Sequence, residues 1–269
     1  MLSKSEQIEV LEVANALADA ARDVTLRYFR SAQLKTDNKF AEGFDPVTQA
    51  DREAELAIRE ILANRRPEDA ILGEEFDDKP GTSGLTWVID PIDGTRAFIS
   101  GNPSWGVLIG LDDGNGPMMG IIDQPYIGER FIGAFGSAHM VARGETREIT
   151  TSGNAVLANA TLMTTFPEVG TEAERRGFEA VRDRVQLTRY GLDCYAYALL
   201  AMGQVDLVIE AGLNSYDVQG PQGVIEAAGG FFTNWQGGPA HMGGRILAAG
   251  NAEIHQQALA ILSKVPADD

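Results

Sequence analysis

Apolar residues recur at helical spacing over the start of the chain. Ile8, Leu11, Ala14, Leu17, Ala18, Ala21 and Val24 fall on roughly one face, which predicts a long helix from about 4 to 34. That stripe is a core surface. A second helix is predicted over about 48 to 63, carried by Leu56, Ile58, Ile61 and Leu62. The period then shortens. Ala70 to Leu72 and Trp87 to Ile89 are short apolar runs that end in Gly or acidic residues. Trp105 to Leu111, Met118 to Asp123 and Glu129 to Phe135 are apolar runs separated by turn signals such as Asp113-Gly114-Asn115-Gly116-Pro117. Beyond residue 150 helices and strands alternate: helix 172–184, strand 185–190, helix 194–202, strand 205–210, helix 217–228 and helix 252–264. No linker, repeat or low-complexity segment interrupts the pattern. Residues 1–269 therefore read as one compact unit, with an α+β half over 1–147 and an α/β half over 148–269.

The segment Trp87-Val88-Ile89-Asp90-Pro91-Ile92-Asp93-Gly94-Thr95 carries the most chemistry. An apolar run delivers two carboxylates and a Thr into a Gly-containing turn. Asp90 and Asp93 supply hard oxygen donors, which suit Mg²⁺. Pro91 fixes its own φ and gives up a donor, so the chain turns and the Ile92 carbonyl can face a metal. Gly94 lets backbone approach a ligand, and Thr95-Arg96-Ala97-Phe98 could open a short helix whose free N–H groups would hold phosphate. An Asp-Pro-x-Asp-Gly string is also a good turn in its own right. Three further acidic sites stand at strand ends or helix starts: Gly73-Glu74-Glu75, Asp45-Pro46-Val47-Thr48-Gln49-Ala50-Asp51 and Ser215-Tyr216-Asp217-Val218. Each has an ordinary reading. Thr48 with Asp51 forms a capping pattern, and Asp217 is an acidic first-turn residue. Their joint occurrence favours a site.

Composition narrows the chemistry. With 44 % hydrophobic and 23 % charged residues the chain is ordinary for a soluble protein, and its net charge of −17 disfavours nucleic acid and anionic membranes as partners. No apolar stretch reaches 18 residues and the first residues lack a signal-peptide core, so a cytoplasmic location is expected. The lone Cys194 lies in no Cys-x5-Arg loop and reads as a small buried hydrophobe. His139, His241 and His255 lack zinc-ligand spacing and read as surface or structural residues.

The order Asp-x-Val-Thr-x-x-Asp at 45–51, Gly-Glu-Glu at 73–75, Trp-x-Ile-Asp-Pro-Ile-Asp-Gly-Thr at 87–95 and Tyr-Asp-Val at 216–218 resembles the inositol monophosphatase family over essentially the whole chain. The resemblance implies an α/β layered αβαβα sandwich, a homodimer, and a phosphate-monoester hydrolase using two to three Mg²⁺ ions, with Mn²⁺ a possible substitute. It also implies residue roles, with most metal ligands in the N-terminal half. Glu74, Asp90 and the Ile92 carbonyl would bind the first ion; Asp90, Asp93 and Asp217 would bind the second; a third would sit near Glu74. Asp51 and Thr95, with Glu74, are the implied catalytic residues, the first two orienting and deprotonating the attacking water. Asp93 and the backbone of Gly94 and Thr95 would contact phosphate.

Within the family, Gly191-Leu192-Asp193-Cys194-Tyr195-Ala196-Tyr197 and Arg96-Ala97-Phe98 resemble the histidinol-phosphatase branch, which implies L-histidinol phosphate, a substrate bearing an ammonium and an imidazole. Asp193, Cys194 and Glu210 are the candidate substrate residues. Asp193 could equally cap the 194–202 helix, and Glu210 could be an exposed strand end. Inositol-1-monophosphatase or another small-phosphate phosphatase is the alternative activity, and a non-enzymatic regulator the alternative of a different class. Two departures stand out. Gly220-Pro221-x-Gly223 weakens the helix behind Asp217, which suggests a less rigid ligand. The segment with Lys35, Lys39 and Glu42 stays unassigned.

Overall fold

The computed structural model describes residues 2–32, 34, 36–38 and 46–266, so Asp45, Lys35, Lys39 and Glu42 lie outside the described residues. Helix α1 (Lys4–Tyr28) starts at Ser3, whose side chain accepts from the Glu6 N–H while the Glu6 carboxylate accepts from the Ser3 N–H. It stops six residues before the predicted end, because Arg30 adopts a φ of 59°, outside the helical region. The short strands β1 (Thr36–Asn38) and β2 (Pro46–Thr48) pair antiparallel and lead into α2 (Gln49–Arg65).

Seven strands form the larger sheet: β3 (Ala70–Gly73), β4 (Thr86–Asp93), then after helix α3 (Thr95–Ser100) β5 (Gly106–Asp112), β6 (Pro117–Gln124), β7 (Glu129–Ala134), β8 (Ser137–Ala142) and β9 (Glu145–Glu148). They lie in sequence order, antiparallel except for the parallel β3–β4 pair. The second sheet holds β10 (Thr161–Thr164), followed by helix α4 (Glu172–Arg182), β11 (Leu187–Tyr190), α5 (Tyr195–Ala201), β12 (Leu207–Asn214), α6 (Ser215–Ala227), β13 (Phe231–Thr233), β14 (Gly243–Ala249) and α7 (Ala252–Leu262). Its order is β11-β10-β12-β14-β13. The runs read from sequence as strands 105–111, 118–123, 129–135, 185–190 and 205–210 are present with shifted ends. Sequence patterning missed β1, β2, β8, β9, β10, β13 and β14. β9 is exposed throughout, β10 and β13 are too short to show a period, and β14 opens on two glycines.

These elements stack as α1/α2, the seven-stranded sheet, α5/α6, the five-stranded sheet and α4/α7, the αβαβα arrangement. Leu17, Trp87 and Ile109 join the first two layers, Phe131, Tyr197, Val218 and Ile246 meet between the sheets, and Phe178, Trp235 and Ile254 fill the last interface. Helix α6 is continuous through Pro221 and packs on both sheets. The glycines behind Asp217 have a positive role here. A Cβ on Gly120 would collide with the Gly220 carbonyl, and one on Gly133 with the Gly223 carbonyl, so helix and sheet meet almost backbone to backbone. The helix that carries Asp217 is thus seated more closely than side chains would allow, not weakened as its Gly and Pro content suggests.

Candidate active site

The site begins where β4 breaks its ladder. Asp90 pairs with Leu108 and Asp93 with Gly106, so β4 spends one more residue than β5 between the two pairs. Pro91 sits in that irregularity, the one place inside a sheet where a missing donor is tolerated. The Asp90 Oδ1 accepts the Ile92 N–H at 2.9 Å, which fixes the first carboxylate. Asp93 Oδ2 accepts the Cys194 N–H at 2.7 Å, which fixes the second across the two halves of the chain. Gly94 follows with φ 82° and caps α3. A side chain there is doubly excluded, since its Cβ would lie 2.7 Å from Asp193 Cγ.

Asp217 is brought in by α6. It is the third residue of that helix, and its Oδ2 accepts the Asn214 N–H at 2.6 Å. Carboxylate oxygens of Asp90, Asp93 and Asp217 all lie within 4.8 Å of one another. Glu74, at the end of β3, presses its charge on Asp90 and shares a hydrogen bond with it. Burial raises the Asp90 carboxyl well above the usual range, with further contributions from Glu74, Asp93 and Asp217; burial, Asp193 and Asp217 do the same to Asp93. Asp217 is pushed up to about 7 by burial first, against the lowering effect of Asn214. Like charges so placed need either protons or a cation. An all-oxygen donor set of this kind fits a hard divalent ion such as Mg²⁺ or Mn²⁺. The three His lie elsewhere: His139 on β8, His241 between β13 and β14, and His255 on α7 beside Thr233.

Asp51 is fully buried, the third residue of α2, and its Oδ2 accepts both the N–H and the hydroxyl of Thr48. The capping pattern read from sequence is therefore present, and it leaves Oδ1 free to face Thr95. The Thr95 hydroxyl lies 3.4 Å from that oxygen and 3.3 Å from the Ile92 carbonyl, so its single proton is shared. Burial raises the Asp51 carboxyl to about 6.

A cleft of about 270 Å³ opens beside the cluster, lined by Asp93, Gly94, Thr95 and Asp217 and also by Asp193, Cys194, Tyr197 and Glu210. Asp51, Glu74 and Asp90 do not line it. Asp193 does not cap α5, whose cap residue is Cys194 with no side-chain bond. Held at φ 46°, Asp193 instead accepts the Ser104 hydroxyl at 2.5 Å. Nor is Glu210 an exposed strand end. It is buried, with Oε1 accepting the Thr165 N–H at 2.9 Å and Oε2 the Tyr197 hydroxyl at 2.7 Å. The Cys194 thiol is buried, and burial first, then Asp93, holds its pKa well above the ordinary thiol value. The sequence reading missed Ser104, Phe166 and Glu168. Phe166 and Glu168 line the cleft from a connection without motif, and Ser104 stands behind Asp193 in a turn.

The raised carboxyls make stability depend on pH. In the unfolded chain Asp titrates near 4, whereas Asp51 and Asp217 titrate at about 6 and about 7 in the fold. The fold thus binds these protons more tightly, and their stabilising effect, complete below about pH 4, is lost as pH rises through 6 to 7. The melting temperature of metal-stripped protein is expected to fall between pH 5 and 8, less steeply in Asp217→Asn, and to recover at pH 8 with Mg²⁺. An identical profile in the variant would rule out this origin.

The family model of the inositol monophosphatase family matches residues 6–267. The chain is 42 % identical to the chloroplastic bifunctional phosphatase IMPL2 of Arabidopsis thaliana, over 96 % of this chain and 76 % of that one. It is 34 % identical to a histidinol-phosphatase of Streptomyces coelicolor, over 96 % of this chain and 98 % of the relative. Among solved structures, an inositol monophosphatase from Zymomonas mobilis superposes with a TM-score of 0.82 at 38 % identity, covering 97 % of this chain and all of the other. No helix among the described residues is long and apolar enough to cross a membrane.

Proposed function

The chain belongs to the inositol monophosphatase family and is a phosphoric monoester hydrolase, and from that premise we propose that it hydrolyses L-histidinol phosphate to L-histidinol and phosphate with Mg²⁺ as cofactor. The observation that carries the substrate assignment is the cleft wall. Asp193, Glu210 and Glu168 stand there outside the three-Asp cluster, and Arg96 is the one cationic residue among those lining the cleft. Glu210 already accepts two protein donors, which leaves Asp193 as the better reader of a cation: Ser104 holds its Oδ2 and Gly94 packs against its other side. A substrate with an ammonium group satisfies that carboxylate, whereas a polyol phosphate offers it no charge. Similarity to a relative named histidinol-phosphatase supports the same substrate.

Asp90, Asp93 and Asp217, with Glu74 and the Ile92 carbonyl, would hold the metal. When bound, Mg²⁺ supplies positive charge against the phosphate oxygens and acidifies water. The chain's own groups then arrange the reaction. The N–H groups of Gly94 and Thr95 hold phosphate oxygens. Thr95 Oγ1 takes a proton from the attacking water as its own proton moves to Asp51 Oδ1, and the new P–O bond forms as the ester P–O bond breaks. The departing alcohol oxygen takes a proton from solvent. Burial has tuned Asp51 to about 6, so it is ionised and still appreciably basic at neutral pH.

The test is phosphate release from L-histidinol phosphate and inositol 1-phosphate side by side, with kcat/KM at least 100-fold higher for the former, equivalent to about 2.7 kcal/mol. Asp193→Asn is expected to lower kcat/KM for histidinol phosphate roughly 10- to 100-fold, the scale of a hydrogen bond to a charged group, while changing glycerol phosphate much less. A preference for inositol 1-phosphate, or equal losses on both esters, would discard the substrate assignment and keep the phosphatase chemistry.

A further inference from the structure

Glu55 stands one helical turn beyond Asp51 on α2, so the two carboxylates leave the same face of the helix. Asp51 turns toward Thr95, and Glu55 turns toward the end of β3. Its residue exposure is 0 %. Oε1 accepts the Arg59 Nε at 2.8 Å and Oε2 accepts the Glu75 N–H at 2.8 Å. Arg59 in turn donates to the Phe76 carbonyl at 3.1 Å and lies over the Phe76 ring. On the other side Gly73 is pressed against the same carboxylate, where an added Cβ would sit 2.6 Å from Glu55 Cδ. Glu55 and Arg59 therefore grip residues 73, 75 and 76, the immediate neighbours of Glu74 on both sides. A buried charge costs desolvation, and an apolar side chain would fill the space at less cost. What the carboxylate adds is a fixed direction for the chain at one point.

We propose that Glu55 is a positioning residue that holds the 73–76 turn so that Glu74 is aimed at Asp90, and that it thereby sets the affinity of the divalent-cation site. The inference rests on the reading of Glu74 as a metal ligand. It predicts that two changes made from opposite sides of one contact have the same effect. Glu55→Ala removes the acceptor, and Gly73→Ala displaces it.

The experiment is a Mn²⁺ titration of the metal-stripped protein, with free Mn²⁺ followed by electron paramagnetic resonance, so that no turnover is needed. Glu55→Ala and Gly73→Ala are each expected to weaken Mn²⁺ binding about 10- to 100-fold, the usual effect of removing a group that orients a ligand. Glu55→Gln keeps an oxygen for the Glu75 N–H but turns its NH2 toward Arg59 Nε, and is expected to weaken Mn²⁺ binding less than Glu55→Ala does. Should Glu55→Ala fail to fold, as judged by circular dichroism, Gly73→Ala and Glu55→Gln decide the matter. Wild-type affinity in Gly73→Ala, or a loss in Glu55→Gln as large as in Gly73→Ala, would overturn the proposal. Glu74→Gln serves as the reference. If it binds Mn²⁺ like wild type, the ligand reading has failed and the positioning role falls with it. If it binds weakly while Glu55→Ala and Gly73→Ala do not, only the positioning role has failed.

Discussion

Asp93→Asn is expected to abolish phosphate release while leaving the protein folded. The carboxylate is one of the points where the two halves of the chain meet, with Oδ2 bonded to the Cys194 N–H and oxygens of Asp90 and Asp217 nearby. Asn has the same shape, and its amide oxygen can still accept from Cys194. What it lacks is the charge. In the absence of metal that loss relieves repulsion in a buried cluster of like charges, so the metal-stripped variant should melt no lower than wild type at pH 8, and higher if repulsion dominates. Loss of activity without loss of stability is the expected pattern, measured by phosphate release and by thermal melting. Near-wild-type turnover would remove Asp93 from the catalytic centre. A melting temperature several degrees below wild type would mean that the residue is principally a structural tie.

Thr95→Ala is expected to lower kcat by roughly 10² to 10⁴, the range of positioned proton transfer, with a small change in KM. The backbone N–H at 95 survives the substitution, and with it the proposed phosphate contact. The hydroxyl does not. It is the group between Asp51 Oδ1 at 3.4 Å and the Ile92 carbonyl at 3.3 Å, and both distances are long enough to shorten when a water arrives. Thr95→Ser keeps the oxygen and should recover most of the rate, within about tenfold, because only a methyl group is lost. A variant whose KM rises while kcat holds would assign the hydroxyl to binding rather than to proton transfer.

Legibility in the sequence followed the physics of each element. The Asp90 to Thr95 turn was readable because Pro, Asp and Gly have individually strong backbone demands, and the structure meets them with an irregular strand, a bonded Asp and a glycine at φ 82°. The Thr48–Asp51 cap was readable for the same reason: its bonds are local. The capping alternative for Asp193 could not be dismissed from sequence, because its partner, Ser104, lies 89 residues away, a contact that no local pattern records. The strand-end alternative for Glu210 stayed open for the same reason, since only tertiary structure supplies Thr165 and Tyr197. Gly220 and Gly223 looked like weaknesses in a helix, because propensity describes a helix alone and not one lying on the glycines of a sheet. Glu55 could have been noticed. It stands at i+4 from Asp51 on a face otherwise apolar, with Ala54 and Ile58 beside it, and a charge there requires a partner.

Asp51 and Asp217 share a property that bears on how the enzyme responds to heat. Each is the third residue of its helix and bonds back to the residue before the helix starts. Helix ends are the parts of a fold that open first, at free energies well below that of global unfolding. When the first turn of α2 or α6 frays, the carboxylate that closes it swings away from the catalytic centre with it. On the proposed roles of Asp51 and Asp217, the temperature at which activity is lost is expected to depend on these two helix starts as well as on the five layers behind them.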